Sequence, residues 1–245
     1  MASTETPAAR APGRLNQALL RLLMKRATIA AIEDLAPDFR LITLEGPALR
    51  DVAWIPGQKA QIAMGSAFVT RTYTPMDWDA GRGRSRLLGF MHGDGPGAAW
   101  VRGLAPGAAC DVFGPRRSLD VGAVAGPLAV FGDETSIGLG HALSRQDESR
   151  RVSCHFEVGD VEACRAVAAH LGLGDARLFA RTAGDGHLAG MEAALPALAA
   201  TGAAFVLTGK AGTIQRLRRA LKRHAVPAAR ISTKAYWAPG KTGLD

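Results

Sequence analysis

The stretch "LAVFGDETSIGLGHALSRQ", residues 128–146, decides how the chain is organised. Its opening "LAVFGDE" is a short apolar run of strand length, and "SIGLGHALSRQ" after it reads as a helix. The same alternation continues downstream. "SCHFEVGD" (153–160), "ARLFART" (176–182) and "AAFVLTG" (203–209) read as strands, while "VEACRAVAAHLG" (161–172) and "TIQRLRRALKRH" (213–224) read as helices. Strand and helix in turn predict a parallel sheet with crossover helices over residues 126–245. In the last helix Ile214, Leu217 and Leu221 share one face, five Lys/Arg cover the rest, and Pro227 lies beyond its end.

Upstream the rhythm is different. "RATIAAIEDL" (26–35) and "RLITLEGPAL" (40–49) are β-like runs separated by Pro37, with Gly46-Pro47 punctuating the second. "IPGQKAQIAM" (55–64), "RSRLLGFMHG" (84–93) and "ACDVFGPRRSL" (109–119) add further short strands. Evenly spaced strands with few helices predict a small antiparallel β-barrel over residues 27–122, interrupted by one helix in "GPGAAWVRGL" (95–104). The expected boundary lies near residues 122–126. Residues 1–26 precede the barrel as a polar tail and, from 14, a short basic amphipathic helix with Leu15, Leu19, Leu22 and Leu23 on one face. That helix lacks the apolar core and cleavage site of a secretory signal.

Composition narrows the function. No apolar run approaches the ~20 residues of a membrane span. Three cysteines, Cys110, Cys154 and Cys164, show no CxxC spacing, which argues against a disulfide framework or a zinc site and for a reducing cytoplasm. His141, His155, His170, His187 and His224 show no metal-ligand spacing, so no metal site is expected. A net charge of +8 draws anions, but there is no zinc finger or aromatic-interleaved basic platform to make nucleic acid the partner. No Ser–His–Asp pattern or carboxylate pair stands out.

The polar run "RTYT" (71–74) ends an apolar strand within "VTRTYTPMDWD" (69–79). It either closes a strand before a turn or holds a charged, flat aromatic ligand. Arg71 offers a guanidinium fork for a pyrophosphate. Tyr73 offers a ring to lie against an aromatic system. Thr74 offers a hydroxyl and a backbone N–H. In "FMHGDGPGAAWVRGLAPG" (90–107), Gly95, Pro96 and Gly97 precede a helix whose free N–H groups form an anion site.

"RTYT" resembles the Arg-x-Tyr-Ser/Thr flavin signature of ferredoxin-reductase-type flavoenzymes. Together with "HGDGPGAAW", "DVFGPRRS" (111–118), "VFGDETS" (130–136) and "KAYWAPGK" (234–241), it resembles the siderophore-interacting protein family of ferric-siderophore reductases, from about Arg26 to Lys241. The resemblance implies a ferredoxin-reductase-like fold, a non-covalent FAD in the barrel domain and a nicotinamide-binding second domain. It implies FAD contacts at Arg71, Thr72, Tyr73, Thr74, His92, Gly95, Gly97 and Ala98, with Trp100 a core anchor. Gly132, Thr135 and Ser136 are the expected contacts of NADPH or NADH, although Asp133 and Glu134 would repel a phosphate. Tyr236 and Trp237 either cover the flavin or fill a domain interface.

Three positions depart from the family pattern: Met76 stands where a second Arg is common, Ala235 replaces the glycine before Tyr-Trp, and Lys210 replaces an acidic residue. Lys210 would favour NADPH through its extra phosphate. The implied activity is reduction of a ferric siderophore by a cytoplasmic monomer, with electrons from NAD(P)H or a reduced ferredoxin. Arg116 and Arg117 are the first cations expected to steer the anionic chelate. A general flavin reductase and a non-enzymatic siderophore-binding protein remain the alternatives.

Overall fold

The structure, a computed structural model, describes residues 24–66, 69–119, 121 and 126–240. Most of the expected tail and helix, residues 122–125 of the expected boundary, and Lys241 lie outside them. Lys25 and Arg26, expected in the helix, instead open the first strand, where they pair with Val112 and Asp111.

Seven antiparallel strands make the N-terminal unit: β1 (Lys25–Ala36), β2 (Phe39–Glu45), β3 (Lys59–Ser66), β4 (Val69–Tyr73), β5 (Pro75–Asp79), β6 (Arg84–Phe90) and β7 (Ala109–Arg116). Their order is β4-β3-β7-β1-β2-β6-β5. The two outermost strands, β4 and β5, are consecutive in the chain and separated by Thr74 alone. The sheet therefore curls until its edges meet at that residue, which gives the expected barrel-like form. "RTYT" is followed by no turn. Pro75 opens a new strand with a new partner, a position that costs no ladder hydrogen bond. Helix α1 (Pro96–Arg102) packs across the barrel, and Arg40 donates to the carbonyls of Val101 (2.8 Å) and Arg102 (3.0 Å) at its end.

The second unit is a five-stranded parallel sheet of β8 (Leu128–Asp133), β9 (Val152–Val158), β10 (Arg177–Ala180), β11 (Ala204–Lys210) and β12 (Ile231–Trp237), ordered β10-β9-β8-β11-β12. Helices α2 (Ile137–Gln146), α3 (Val161–His170), α4 (Leu188–Ala200) and α5 (Ala211–Arg223) make the crossovers. The chain lays down β8, β9 and β10 in one direction, then crosses to place β11 on the far side of β8. The crevice outside the carboxyl ends of β8 and β11 is thus the topological switch point, where such sheets bind ligands. β12 and α4 were not read as elements from the sequence. The α4 stretch "LAGMEAALPALAA" is alanine-rich with an internal Pro196, so it carries little helical periodicity.

The two units share a core. Phe39, Leu41 and Met76 of the barrel pack with Leu128, Val130, Ile137, Leu139 and Phe156 of the parallel unit. Met76 is 1% exposed, and a side chain on Gly138 would meet its Cγ at 3.3 Å. The methionine at the position of the second arginine is therefore an apolar stitch between the units. A guanidinium there would have to be desolvated.

Candidate functional site

Strand alternation sends Arg71 and Tyr73 to the same face of β4, paired with the core residues Ile62 and Ala60, while Thr72 faces the other way beside Gln61. That face meets the start of α1. A Cβ added to Gly97 would lie 3.3 Å from Arg71 Cγ and 3.5 Å from the Tyr73 hydroxyl. Two motifs more than twenty residues apart in sequence thus come together, and glycine at 97 is what lets the helix approach so closely. Arg71 is held by donating to the Thr70 carbonyl at 2.7 Å. Tyr73 leans on Trp100 with ring centroids 5.5 Å apart, and burial pushes its phenol far above the ordinary value. Trp100 is half-buried and packs against the barrel core.

This cradle fits a flavin dinucleotide. The Arg71 side chain passes beside Gly97, where the first-turn N–H groups of Gly97 and Ala98 have no intrahelical acceptor, next to the Tyr73 ring. A Cβ at Gly93 or Gly95 would meet no atom within 4 Å, so the approach to that helix end is open. His92 is exposed, its ring tilted against that of Phe90 with centroids 5.2 Å apart. Arg116 lies on the outer side of the sheet, donating to Gln61 at 3.1 Å with its guanidinium 4.8 Å above the Phe113 ring. Arg117, next in the chain, is exposed.

Thr74 joins the cradle to the switch point. Its hydroxyl is 3.3 Å from that of Tyr236, at the carboxyl end of β12. Burial raises the Tyr236 phenol to about 12. Next to it, Trp237 Nε1 donates to Asp133 Oδ2 at 2.6 Å. Tyr236 thus bridges the two units at the last residue of "RTYT", while Trp237 ties the end of β12 to the turn after β8. Ala235, where the family pattern has glycine, packs against the core of the parallel unit.

Asp133 organises the turn after β8. It is 0% exposed, and burial holds its carboxyl well above the ordinary carboxylate range. The Thr135 N–H donates to it at 2.9 Å, and the Ser136 N–H completes a capping box. Thr208 donates to Ser136 Oγ at 2.8 Å. Glycine is required on both sides of this carboxylate. A Cβ at Gly132 would clash with Ser136 Oγ at 2.3 Å, and one at Gly209 (φ +89°) would clash with Asp133 Oδ2 at 2.4 Å. The donors that the sequence offers to a phosphate at Thr135 and Ser136 therefore already serve the protein's own carboxylate.

The neighbouring acid, Glu134, is neutralised in a way the sequence does not announce. Arg181, just past β10, forks onto its two oxygens at 2.9 and 2.5 Å, and the Gly159 N–H donates to it at 2.7 Å. Glu157, also 0% exposed, takes His187 Nε2 at 2.8 Å and the Thr213 hydroxyl at 2.6 Å. Lys210 reaches Asp185 at 3.0 Å. Among the described residues no group of His, Cys, Asp and Glu could hold a metal ion, and all three cysteines are buried and free.

Residues 57–119 match the model of the siderophore-interacting FAD-binding domain, and residues 126–240 match that of the siderophore-interacting protein. The chain belongs to the siderophore-interacting protein family. Among solved structures it is similar to the siderophore-interacting protein of Aeromonas hydrophila (22% identity, TM-score 0.73, covering 90% of this chain and 93% of that one). A siderophore utilization protein from T. fusca is similar too (19%, 0.71, 91% and 95%). The ferredoxin reductase of a carbazole 1,9a-dioxygenase shares the fold (16%, 0.71, 87% and 69%). No curated protein matches the chain in sequence. The FAD-binding model covers the Arg71–Tyr73–Gly97 cradle.

Proposed function

We propose that the chain reduces ferric siderophores in the cytoplasm, as a monomer, with electrons from NAD(P)H or a reduced ferredoxin. The observation that carries this reading is the meeting of Arg71, Tyr73 and the Gly97 helix end with Thr74 and Tyr236 at the switch point. Arg71 and the amides of Gly97 and Ala98 would hold the FAD diphosphate, with Gly95 leaving that approach open. Thr72, on the opposite side of β4, and the exposed His92 would act at the edge of the same site. Thr74 would face the ring, and Tyr236 would cover it. Bound there, FAD supplies the exchange between a two-electron donor and one-electron delivery to iron.

The protein's own contribution is positional. Siderophores bind Fe(III) through hard oxygen donors that hold Fe(II) far less tightly, so transfer of one electron is enough to loosen the metal. No general acid or base is demanded, and Tyr73 and Tyr236, with phenols raised by burial, are built to stay neutral. Arg116 and Arg117 would draw in the anionic chelate. On the donor side, a nicotinamide nucleotide at Gly132, Thr135, Ser136 and Lys210 must compete with Asp133 for two backbone N–H groups and with Asp185 for the lysine. A protein electron carrier need not.

The test is anaerobic stopped-flow on the FAD-loaded protein. Bleaching by NADPH, NADH or reduced ferredoxin, then recovery of the oxidised spectrum with release of chelatable Fe(II) on adding a ferric catecholate, is expected. A flavin that no donor bleaches, or that ferric chelates leave reduced, would refute the assignment.

A further inference from the structure

A second groove lies away from the flavin cradle, in the crease between the barrel and α2, with a volume of about 500 Å³. Arg145, near the end of α2, is eight residues from Ile137, about 12 Å along the helix from the Asp133 turn. Two indoles, Trp54 and Trp78, and four guanidiniums, those of Arg82, Arg84, Arg86 and Arg145, line the groove around Met76.

The arginines are not equivalent. Arg86 is committed, with its Nε on Asp77 at 2.6 Å. The other three hold only long ion pairs: Arg82 to Asp79 at 3.7 Å, Arg84 to Glu45 at 3.5 Å and Arg145 to Glu148 at 3.8 Å. Such exposed pairs contribute little and leave donors unspent. Trp78 is oriented by donating its indole N–H to the Leu49 carbonyl at 3.0 Å. Trp54 Nε1, in contrast, is closed to solvent with no hydrogen-bond acceptor, whereas Arg84 Nε, also closed to solvent, faces the Glu45 carboxylate at 3.5 Å. Buried donors are normally satisfied, and here the Trp54 indole wants an acceptor. The two lining carboxylates, Asp77 and Asp79, are outnumbered by the four guanidiniums.

We propose that this groove is a binding site for a small planar aromatic oxyanion, such as an aromatic carboxylate. The ring lies against the indoles, and the oxyanion accepts from Trp54 Nε1, Arg84 and Arg145. The site is independent of the flavin assignment, since it shares no residue with the cradle.

The four indole N–H resonances of the ¹⁵N-labelled full-length protein read this directly. Salicylate is expected to shift the Trp54 and Trp78 signals saturably, at about 1 mM or below, and to leave Trp100 and Trp237 in place. Inorganic phosphate, an anion without a ring, is expected to bind about tenfold more weakly. Arg145→Gln, at an exposed position, and Trp54→Phe, which keeps a ring but loses the donor, are each expected to weaken salicylate by about three- to tenfold. Stationary Trp54 and Trp78 signals would overturn the proposal, as would movement of Trp100 or Trp237 in their place. Phosphate binding as tight as salicylate, or affinity unchanged in both variants, would overturn it too.

Discussion

At the scale of single residues, the cradle depends on one cation and one missing side chain. Arg71→Ala removes a charge-assisted pairing to the diphosphate and is expected to weaken FAD binding by about 10- to 100-fold, as read by quenching of free flavin fluorescence. An unchanged dissociation constant would remove Arg71 from the site. His155 makes a different prediction. It is buried, stacked on Phe131 at 4.5 Å with Nδ1 unpaired, and burial lowers it from 6.5 to about 4. A base whose folded value is depressed stabilises the fold above its unfolded value, and that stability is lost as pH falls. Between pH 6.5 and 4 the unfolded chain takes up a proton that the folded one refuses, at about 1.4 kcal/mol per pH unit. Stability is therefore expected to drop by roughly 3 kcal/mol over that window, and His155→Phe is expected to flatten the drop in denaturant midpoints. Equal slopes for the two proteins would show that other groups set the acid sensitivity.

At the scale of elements, β12 is an edge strand whose end is pinned by side chains. Trp237→Phe keeps a ring but withdraws a donor from the buried Asp133 carboxyl, at a cost of about 1–3 kcal/mol. Faster amide exchange along Ile231–Trp237 is the expected sign, with α3 unaffected; uniform exchange would mean that the pin is not local. Elements were legible in the sequence where periodicity was strong. The apolar runs of β8, β9 and β11 and the Leu217 face of α5 announce themselves. α4 was not legible because alanine and an internal proline blur its face, and β12 because "KAYWAPGK" ends in turn residues that mask a strand. The site was legible in part. "RTYT" and "HGDGPGAAW" marked the cradle because their residue types have few other uses together. Arg181 was invisible because its meaning comes from Glu134, 47 positions away, and no local spacing records that pairing. The turn at Asp133 was half legible. The sequence shows the acids, but only the fold shows one turned inward as a cap and the other neutralised.

At the scale of the whole molecule, two units with separate cores are joined through a third shared one around Met76 and Gly138. The net charge of +8 surrounds that assembly with a field that favours anionic chelates. Arg116→Ala combined with Arg117→Ala is expected to raise the apparent KM for an anionic ferric chelate several-fold at low ionic strength. The difference should fade toward 0.5 M salt as the Debye length falls to about 4 Å. A KM unchanged at low salt would place steering elsewhere on the surface.

The central claim is that the junction of β4 and α1 is where FAD binds. Hydrogen–deuterium exchange of the full-length protein with and without saturating FAD tests it most directly. The account predicts slowed exchange at residues 69–74 and 93–99, together with β12 near Tyr236. Protection confined to the far side of the barrel, or no protection at any of these segments while flavin is bound, would contradict it.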